Sequence, residues 1–449
     1  MMDIKLFNGL HDRVETFVPI RKGFVSMYVC GPTVYDYVHI GNLRPLVVFD
    51  VLKKLFIALG YQVKHVSNYT DIDDRIIDKA IKENTDEISI AKKFIAAYQD
   101  DVSKMNALLP DVTPTVTEHL PAMIVFISNL IKKGFAYRTK SGDVFFRVHQ
   151  IKDYGRLSHI DLEDMKIGAR VEENPDKENP LDFALWKHTT HGITFPAPFG
   201  AGRPGWHTEC VVMINQTFKQ PLIDIHGGGF DLKFPHHENE IAQSIAMNQT
   251  LLANYWLHNG FINLNSEKMS KSTGNIFLAK DFLAKYQGPI LRYLLLATHY
   301  RMPVNMSEPI IENVQQEYKK IYLTLAQLAT TIQLQGGSTI GKGLPAPESF
   351  LAALCDDINT ANALTILHQH IKEINALLRD KKTPLATLLN RFFTIQGMLS
   401  ILGLAVELPI LTAEDKRLYE AYLKAKQSQD FARSDEIRKI LNARHLYIA

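Results

Sequence analysis

The chain has 449 residues, too many for one ordinary hydrophobic core, so two or three domains are expected. Hydrophobic residues make up 46% and charged residues 22%, a globular composition that excludes a disordered chain. With 50 basic and 48 acidic residues the net charge is only +2, so any contact with nucleic acid must come from local patches.

The N-terminal stretch carries Asp3 and Lys5 and shows no apolar leader. The most apolar early region, 43–59, is interrupted by three charged residues, so no segment is expected to span a bilayer. Three cysteines are too few for a disulfide framework and suit a reducing compartment. We therefore expect a cytoplasmic protein without a membrane partner.

The first regular elements form a strand, a helix and a second strand. Residues 24–30 predict a buried strand that ends at Cys30. Apolar residues recur at helical spacing over 42–59, with Pro45 in the first turn and Gly60 after the last. The apolar segment 62–66 predicts the next strand. This order is typical of a parallel α/β unit.

His39, Gly41 and Asn42 lie where the loop after the first strand enters the first helix. Free backbone N–H groups and the helix dipole favour an anion there, and Gly41 would let a flat base or a phosphate approach the backbone. His39 could donate to phosphate oxygens. For this segment alone, a polar turn with an N-capping asparagine is the favoured interpretation.

Farther along, residues 113–199 interrupt the α/β rhythm with predicted helices and Pro-rich loops and resemble an insertion. A βα pattern resumes near 222–225 and continues to about residue 300. From Ser307 onward the chain is nearly all helix-forming, and a Gly/Ser/Pro loop at 336–347 divides one long helix from the next.

Two widely separated cysteines, Cys30 and Cys210, accompany a histidine- and glutamate-rich helix start. His236 and Glu240 are four residues apart and share a helix face, so the four side chains form a ligand set suited to Zn²⁺. His237 competes with His236, and the pattern alone does not choose between them. Burial of both cysteines as small hydrophobes is the alternative.

The segment Lys268-Met269-Ser270-Lys271-Ser272 places two lysines three residues apart in a loop with small neighbours. Such lysines can neutralise charge that develops on a triphosphate, although most short basic runs are solvated surface loops. The two phosphate-binding candidates match, in order, the HIGH and KMSKS signatures of class I aminoacyl-tRNA synthetases. The second signature matches letter for letter, whereas Asn42 replaces the second histidine of the first and cannot carry charge.

Five blocks together resemble the cysteinyl-tRNA synthetases: MYVCGPTVYDYVHIGN, TDIDD, GRPGWHTEC, HGGGFDLKFPHHENEIAQS and EKMSKSTGN. The resemblance implies one Zn²⁺ per chain held by Cys30, Cys210, His236 and Glu240. It also implies that Asp231 lies near the substrates and His237 near the adenylate. We predict that the cysteine thiolate joins the metal, because a pocket that reads shape alone separates cysteine from serine poorly.

The same resemblance implies an α/β fold with a Rossmann-like catalytic domain, a connective insertion and an α-helical anticodon-binding bundle. The expected segments are 1–112 and 201–305 for the catalytic domain, 113–200 for the insertion, 306–404 for the helical domain and 405–449 for a small C-terminal domain. The last segment looks short of the basic tail expected in bacterial members. Residues 416–449 carry eight basic and four acidic side chains, a local charge of +4 that suits RNA phosphates.

The implied enzyme activates L-cysteine with Mg²⁺-ATP and transfers it to tRNA(Cys), and we expect a monomer. His39, Asn42, Lys268 and Lys271 would position ATP and stabilise charge, with Gly41 and Lys271 also contacting the nucleotide. One rival is a ligase of the same fold that joins cysteine to an amino sugar, but about 140 residues follow the catalytic core. A non-catalytic RNA-binding paralogue is the other rival.

Overall fold

The computed structural model describes residues 2–160, 175–264, 267–268, 275–404 and 406–447, with residues 267–268 described by their backbone alone. The chain separates into two units. The first comprises Met1–Lys285 and Tyr300–Asn305, and the second comprises Tyr286–His299 and Met306–Ala449. The domain boundaries expected from the sequence stay predictions.

The first unit begins with a hairpin of two short strands, β1 (Lys5–Asn8) and β2 (Arg13–Thr16). The α/β unit follows, with β3 (Phe24–Val29), α1 (Ile40–Ala58) and β4 (Gln62–Ser67). Next come α2 (Asp74–Glu83), α3 (Glu87–Lys104), α4 (Val116–Lys132), β5 (Ala136–Arg138), β6 (Val144–Phe146), β7 (Phe183–His188) and β8 (Gly202–Pro204). The unit continues through α5 (Trp206–Phe218), β9 (Ile223–Gly229), α6 (Glu238–Asn248), β10 (Ala253–Asn259), β11 (Ile262–Leu264), β12 (Glu267–Lys268) and α7 (Ala279–Lys285), and β13 (Val304–Met306) comes later in the chain.

Four parallel strands in the order β10-β9-β3-β4 form the central sheet, which confirms the predicted α/β fold. Its central strand β3 is almost wholly buried, which is why its sequence reads as a continuous apolar run. The strand ends at Val29, one residue earlier than predicted, and Cys30 follows at its carboxyl end. The N–H of Cys30 still donates to the carbonyl of Gly227, at 3.0 Å, so the residue stays fixed to the sheet.

Helix α1 begins at Ile40, two residues before the predicted start. His39 is its N-cap residue, with extended backbone angles, and the Asn42 amide oxygen accepts a hydrogen bond from the His39 N–H at 3.1 Å. The helix therefore starts inside the first candidate phosphate-binding motif, and all three of its predicted residues lie at the cap or in the first turn.

In the predicted insertion, α4 precedes a four-stranded antiparallel sheet in the order β5-β6-β7-β8, whose last strand lies just beyond the predicted boundary at residue 200. The expectation of helices and Pro-rich loops missed this sheet. Three of its strands are only three residues long, too short for an alternating pattern to appear in the sequence.

The second unit is helical, as predicted. Its helices are α8 (Gly288–Leu296), α9 (Glu308–Leu334), α10 (Glu348–Cys355), α11 (Thr360–Arg379), α12 (Leu385–Leu402), α13 (Ala413–Gln427) and α14 (Phe431–Ala443). Among the described helices, α12 alone is long and apolar enough to cross a membrane by length and composition. It buries Leu388, Phe392 and Ile395, as a core helix does.

Candidate active site

A cavity of about 420 Å³ lies in the first unit, beside the carboxyl ends of β3 and β9 and the N-terminus of α1. Five of the predicted residues line it: Cys30, His39, Gly41, Asn42 and Asp231. From β3 the chain passes through α1 to β4 on one side, while β9 lies on the other side of β3. Ligands of open α/β sheets bind at such a reversal of strand order, so the cavity is in the expected place.

The wall near α1 is built around the ring of His39. A Cβ atom on Gly41 would stand only 2.7 Å from His39 Cε1, so the missing side chain leaves room for this ring over the first turn. The Ile40 N–H donates to the carbonyl of Phe277 at 3.1 Å, so this N-terminal amide already has a protein partner. At the start of α1, the cavity is therefore lined by His39, Gly41 and Asn42.

Below the cavity the two front cysteines meet, although they are 180 residues apart in sequence, with their sulfur atoms separated by 3.6 Å. Cys210 lies on α5 and is 2% exposed. His236 lies in a π-helical turn, Lys233–His237, and Glu240 lies in the first turn of α6. The Nε2 atom of His236 is 3.7 Å from Cys210 Sγ and 2.8 Å from Glu240 Oε1, which in turn lies 3.9 Å from Cys30 Sγ.

Two of these distances match donor atoms around a single metal ion, whereas the 2.8 Å contact between His236 and Glu240 is a hydrogen-bond distance that would lengthen on metal binding. Zinc bonds of about 2.0–2.3 Å in a tetrahedron place donor atoms about 3.3–3.8 Å apart. The two sulfur contacts of Cys210, at 3.6 and 3.7 Å, fall inside that range. Two thiols, an imidazole and a carboxylate, with all four donor atoms within 4.8 Å of one another, are a donor set that zinc accepts.

A second set of possible ligands overlaps the first and consists of Cys30, His226, His237 and Glu240. His237 Nε2 is 3.3 Å from Cys30 Sγ, and His226 Nε2 is 2.6 Å from Glu240 Oε2. Both sets need Cys30 and Glu240, so they describe neighbouring positions for one cation. In the first set, Oε1 of Glu240 would bind the metal while Oε2 keeps its contact with His226 Nε2.

The protonation of the four groups is shaped by burial and by one another. Burial raises the pKa of the Cys30 thiol well above its usual value. Burial also opposes ionisation of Cys210, but hydrogen bonds with Cys30 and His236 outweigh it and lower its pKa to about 6. Burial likewise opposes the ionised form of Glu240, but His226 and His236 hold its pKa well below the usual range. Burial opposes the charged form of His236, but Glu240 and Cys210 outweigh it and raise its pKa to about 10. At neutral pH a thiolate and a carboxylate, the forms that bind metals, are therefore favoured, whereas the imidazole must release a proton to bind one.

Sequence reasoning missed three histidines that contact Glu240, His236 and His237. His226 on β9 contacts Glu240, His207 Nδ1 lies 3.1 Å from His236 Nδ1, and His258 on β10 lies 2.8 Å from His237 Nδ1. A polar residue inside an apolar strand, as in IDIHGGG and ANYWLHN, was the available signal.

The remaining predicted residues take different places. Asp231 lies in a short 3₁₀ turn, Phe230–Leu232, at the cavity wall. His237 is fully buried against Cys30 and His258 and is not among the residues that line the cavity. The backbone of Lys268 pairs with Asn263 in a short antiparallel ladder, and Lys271 lies outside the described residues.

Comparison with known families places two matches along the chain. Residues 16–316 match the family described as tRNA synthetases class I (C) catalytic domain. Residues 349–406, in the helical unit, match the DALR domain.

Curated relatives match over nearly the whole chain. The chain is 43% identical to a cysteine–tRNA ligase of Lysinibacillus sphaericus, over 100% of this chain and 97% of the relative. It is 42% identical to a cysteine–tRNA ligase of Halalkalibacterium halodurans, over 98% and 96% of the two chains. A solved structure of Mycobacterium tuberculosis methionyl-tRNA synthetase bound by methionyl-adenylate has a TM-score of 0.59 at 14% identity, covering 91% of this chain and 96% of that one. This last likeness concerns the fold alone.

Proposed function

The chain belongs to the cysteine–tRNA ligase family of class I aminoacyl-tRNA synthetases, and from this premise we propose that a zinc ion held by Cys30, Cys210, His236 and Glu240 selects its amino acid. The enzyme is an ATP-dependent ligase that activates L-cysteine as cysteinyl-adenylate and transfers it to tRNA(Cys). The observation that carries the zinc proposal is the meeting of two thiols, an imidazole and a carboxylate below the cavity.

The four ligands would hold the ion from three separate parts of the fold. Cys30 comes from the end of β3, Cys210 from α5, and His236 and Glu240 from the start of α6 and the turn before it. When bound, zinc would favour the substrate thiol as an anionic sulfur ligand, for which a serine hydroxyl is a poor substitute. We prefer this quartet to the set with His226 and His237 because it contains two thiols, which suit a borderline-soft cation.

For the ATP-dependent step we assign positioning and charge stabilisation to His39 and Asn42, which line the cavity. The His39 ring would donate to phosphate oxygens as charge develops during attack by the cysteine carboxylate. The amide oxygen of Asn42 caps His39, so its amide nitrogen is the group that would serve a phosphate. Gly41 would admit the nucleotide and Asp231 its ribose, with Lys268 and Lys271 neutralising the leaving pyrophosphate and Mg²⁺ accompanying ATP.

We also propose one zinc per chain, a monomeric enzyme, and recognition of the tRNA by the helical unit, which contains the DALR match. The cytoplasm is the compartment that suits a soluble substrate set of ATP, cysteine and tRNA together with free thiols. An adenylate-contacting role for His237 remains part of the proposal.

The test combines metal analysis with cysteine-dependent ATP–pyrophosphate exchange on the purified chain. We expect Cys210→Ser and His236→Ala to lose zinc and to lose exchange with cysteine. The matched control is Cys355→Ser, since Cys355 is a buried free cysteine of the helical unit. That variant should retain both zinc and exchange.

The two ligand sets make opposite predictions about His237. If the alternative set held the metal, His237→Ala would lose zinc while Cys210→Ser and His236→Ala would keep it, and our assignment would be wrong. Exchange by the wild-type enzyme with serine as efficiently as with cysteine would contradict the proposed selection of sulfur.

A further inference from the structure

The chain that leaves the lysine motif pairs with the segment that carries His39. The Ala279 N–H donates to the carbonyl of Val38 at 2.9 Å, and the Ile40 N–H donates to the carbonyl of Phe277 at 3.1 Å. His39 and Leu278 lie opposite each other in this antiparallel bridge. These hydrogen bonds hold residues 38–40 and 277–279 in one register, and that register places the backbone of His39.

A side-chain contact continues this pairing. The Lys280 ammonium lies 3.8 Å from the centre of the Tyr37 ring, a distance at which a cation is attracted to an aromatic face. Tyr37 is itself packed edge-to-face on Phe94 of α3, with ring centres 5.2 Å apart. The contact with Phe94 restrains the Tyr37 ring, so the Lys280 ammonium packs against a ring of fixed orientation.

Lys280 and Tyr37 are each adjacent in sequence to the backbone bridge that carries His39. Lys280 directly follows Ala279 at the start of α7, and Tyr37 stands two residues before His39. Loss of the contact would remove one side-chain constraint on this register and leave the backbone bridge and the buried packing of Ala279 and Phe282. A shift in that bridge would weaken the hydrogen bond of the Ile40 amide and turn His39, the N-cap residue that lines the cavity.

We propose that Lys280 is a positioning residue for the ATP-dependent step, acting through the face of Tyr37 on the orientation of His39. The inference rests on the proposed role of His39 in that step. An exposed cation–π contact of this kind corresponds to a change of about two- to fivefold in rate or affinity.

The experiment compares variants that keep or remove each half of the contact. Lys280→Met and Tyr37→Leu remove the cation and the ring face, whereas Lys280→Arg and Tyr37→Phe keep them. We expect kcat/KM for ATP in pyrophosphate exchange to fall about two- to fivefold in the first two and to stay near wild type in the second two. Transfer from preformed cysteinyl-adenylate to tRNA should be unchanged in all four.

The double variant Lys280→Met/Tyr37→Leu should be no worse than the more impaired single variant, because both remove the same contact. Lys93→Met is the matched control, since Lys93 is an exposed cation 5.1 Å from the Phe94 ring of the same aromatic cluster. Its kinetics should match wild type.

Additive losses in the double variant, full activity in Lys280→Met, or no recovery with Lys280→Arg would each overturn the proposal. A failure of the assumed role of His39 is separable from these results, because His39→Ala would then retain normal exchange in the same assay.

Discussion

Replacing Gly41 by alanine should separate activity from stability. The added Cβ would stand 2.7 Å from His39 Cε1 and 2.8 Å from Nδ1, whereas ordinary contacts begin at 3.4 Å, so the ring must retreat by roughly 0.7 Å. Misplacement by about 1 Å can cost an enzyme about a hundredfold in rate. We therefore expect Gly41→Ala to lower kcat/KM for ATP by about 10- to 100-fold.

The free energy of unfolding should rise slightly in Gly41→Ala or stay unchanged. Gly41 lies in the first turn of α1 with an ordinary helical backbone, where alanine is favoured over glycine by up to about 1 kcal/mol. The assays are pyrophosphate exchange for activity and urea unfolding for stability. In a His39→Ala background the Gly41→Ala change should have little further effect on exchange, because the ring that it displaces is gone. Full activity of Gly41→Ala, or an equal loss in the His39→Ala background, would refute this reasoning.

Two other predictions concern buried histidines. His226→Ala removes the partner of Glu240 Oε2, so we expect zinc affinity, measured by chelator competition, to fall about 10- to 100-fold; unchanged affinity would contradict an orienting role. Burial lowers the pKa of His65 from 6.5 to about 4, and neither ring nitrogen has a hydrogen-bond partner among the described residues. The unfolded chain therefore binds a proton that the folded chain rejects, and stability should fall by about 2 kcal/mol between pH 7 and pH 5. In urea unfolding at pH 7 and pH 5, His65→Leu should lose about 2 kcal/mol less of its free energy of unfolding between the two pH values than the wild type. An unaltered pH dependence would show that another group is responsible.

Much of the fold was predictable because its signals are local. The apolar run of β3, the helical spacing of α1 and the all-helical second unit are each properties of a few consecutive turns or residues, and the structure confirms them. The antiparallel sheet of the insertion was not predictable in this way. Its three-residue strands are stabilised by pairing with one another, and no single strand is long enough to carry a pattern.

The chemical groups available to the site can be read from the residues alone: two thiols, a histidine-rich helix start and two phosphate-binding motifs in a fixed order. Which of these groups meet depends on the folding of the chain in three dimensions. The pairing of Cys30 with Cys210, the hold of His226 on Glu240 and the bridge between residues 38–40 and 277–279 join segments far apart in the chain. Such contacts depend on how strands and helices pack in three dimensions, and spacing along the chain does not encode that packing in any local pattern.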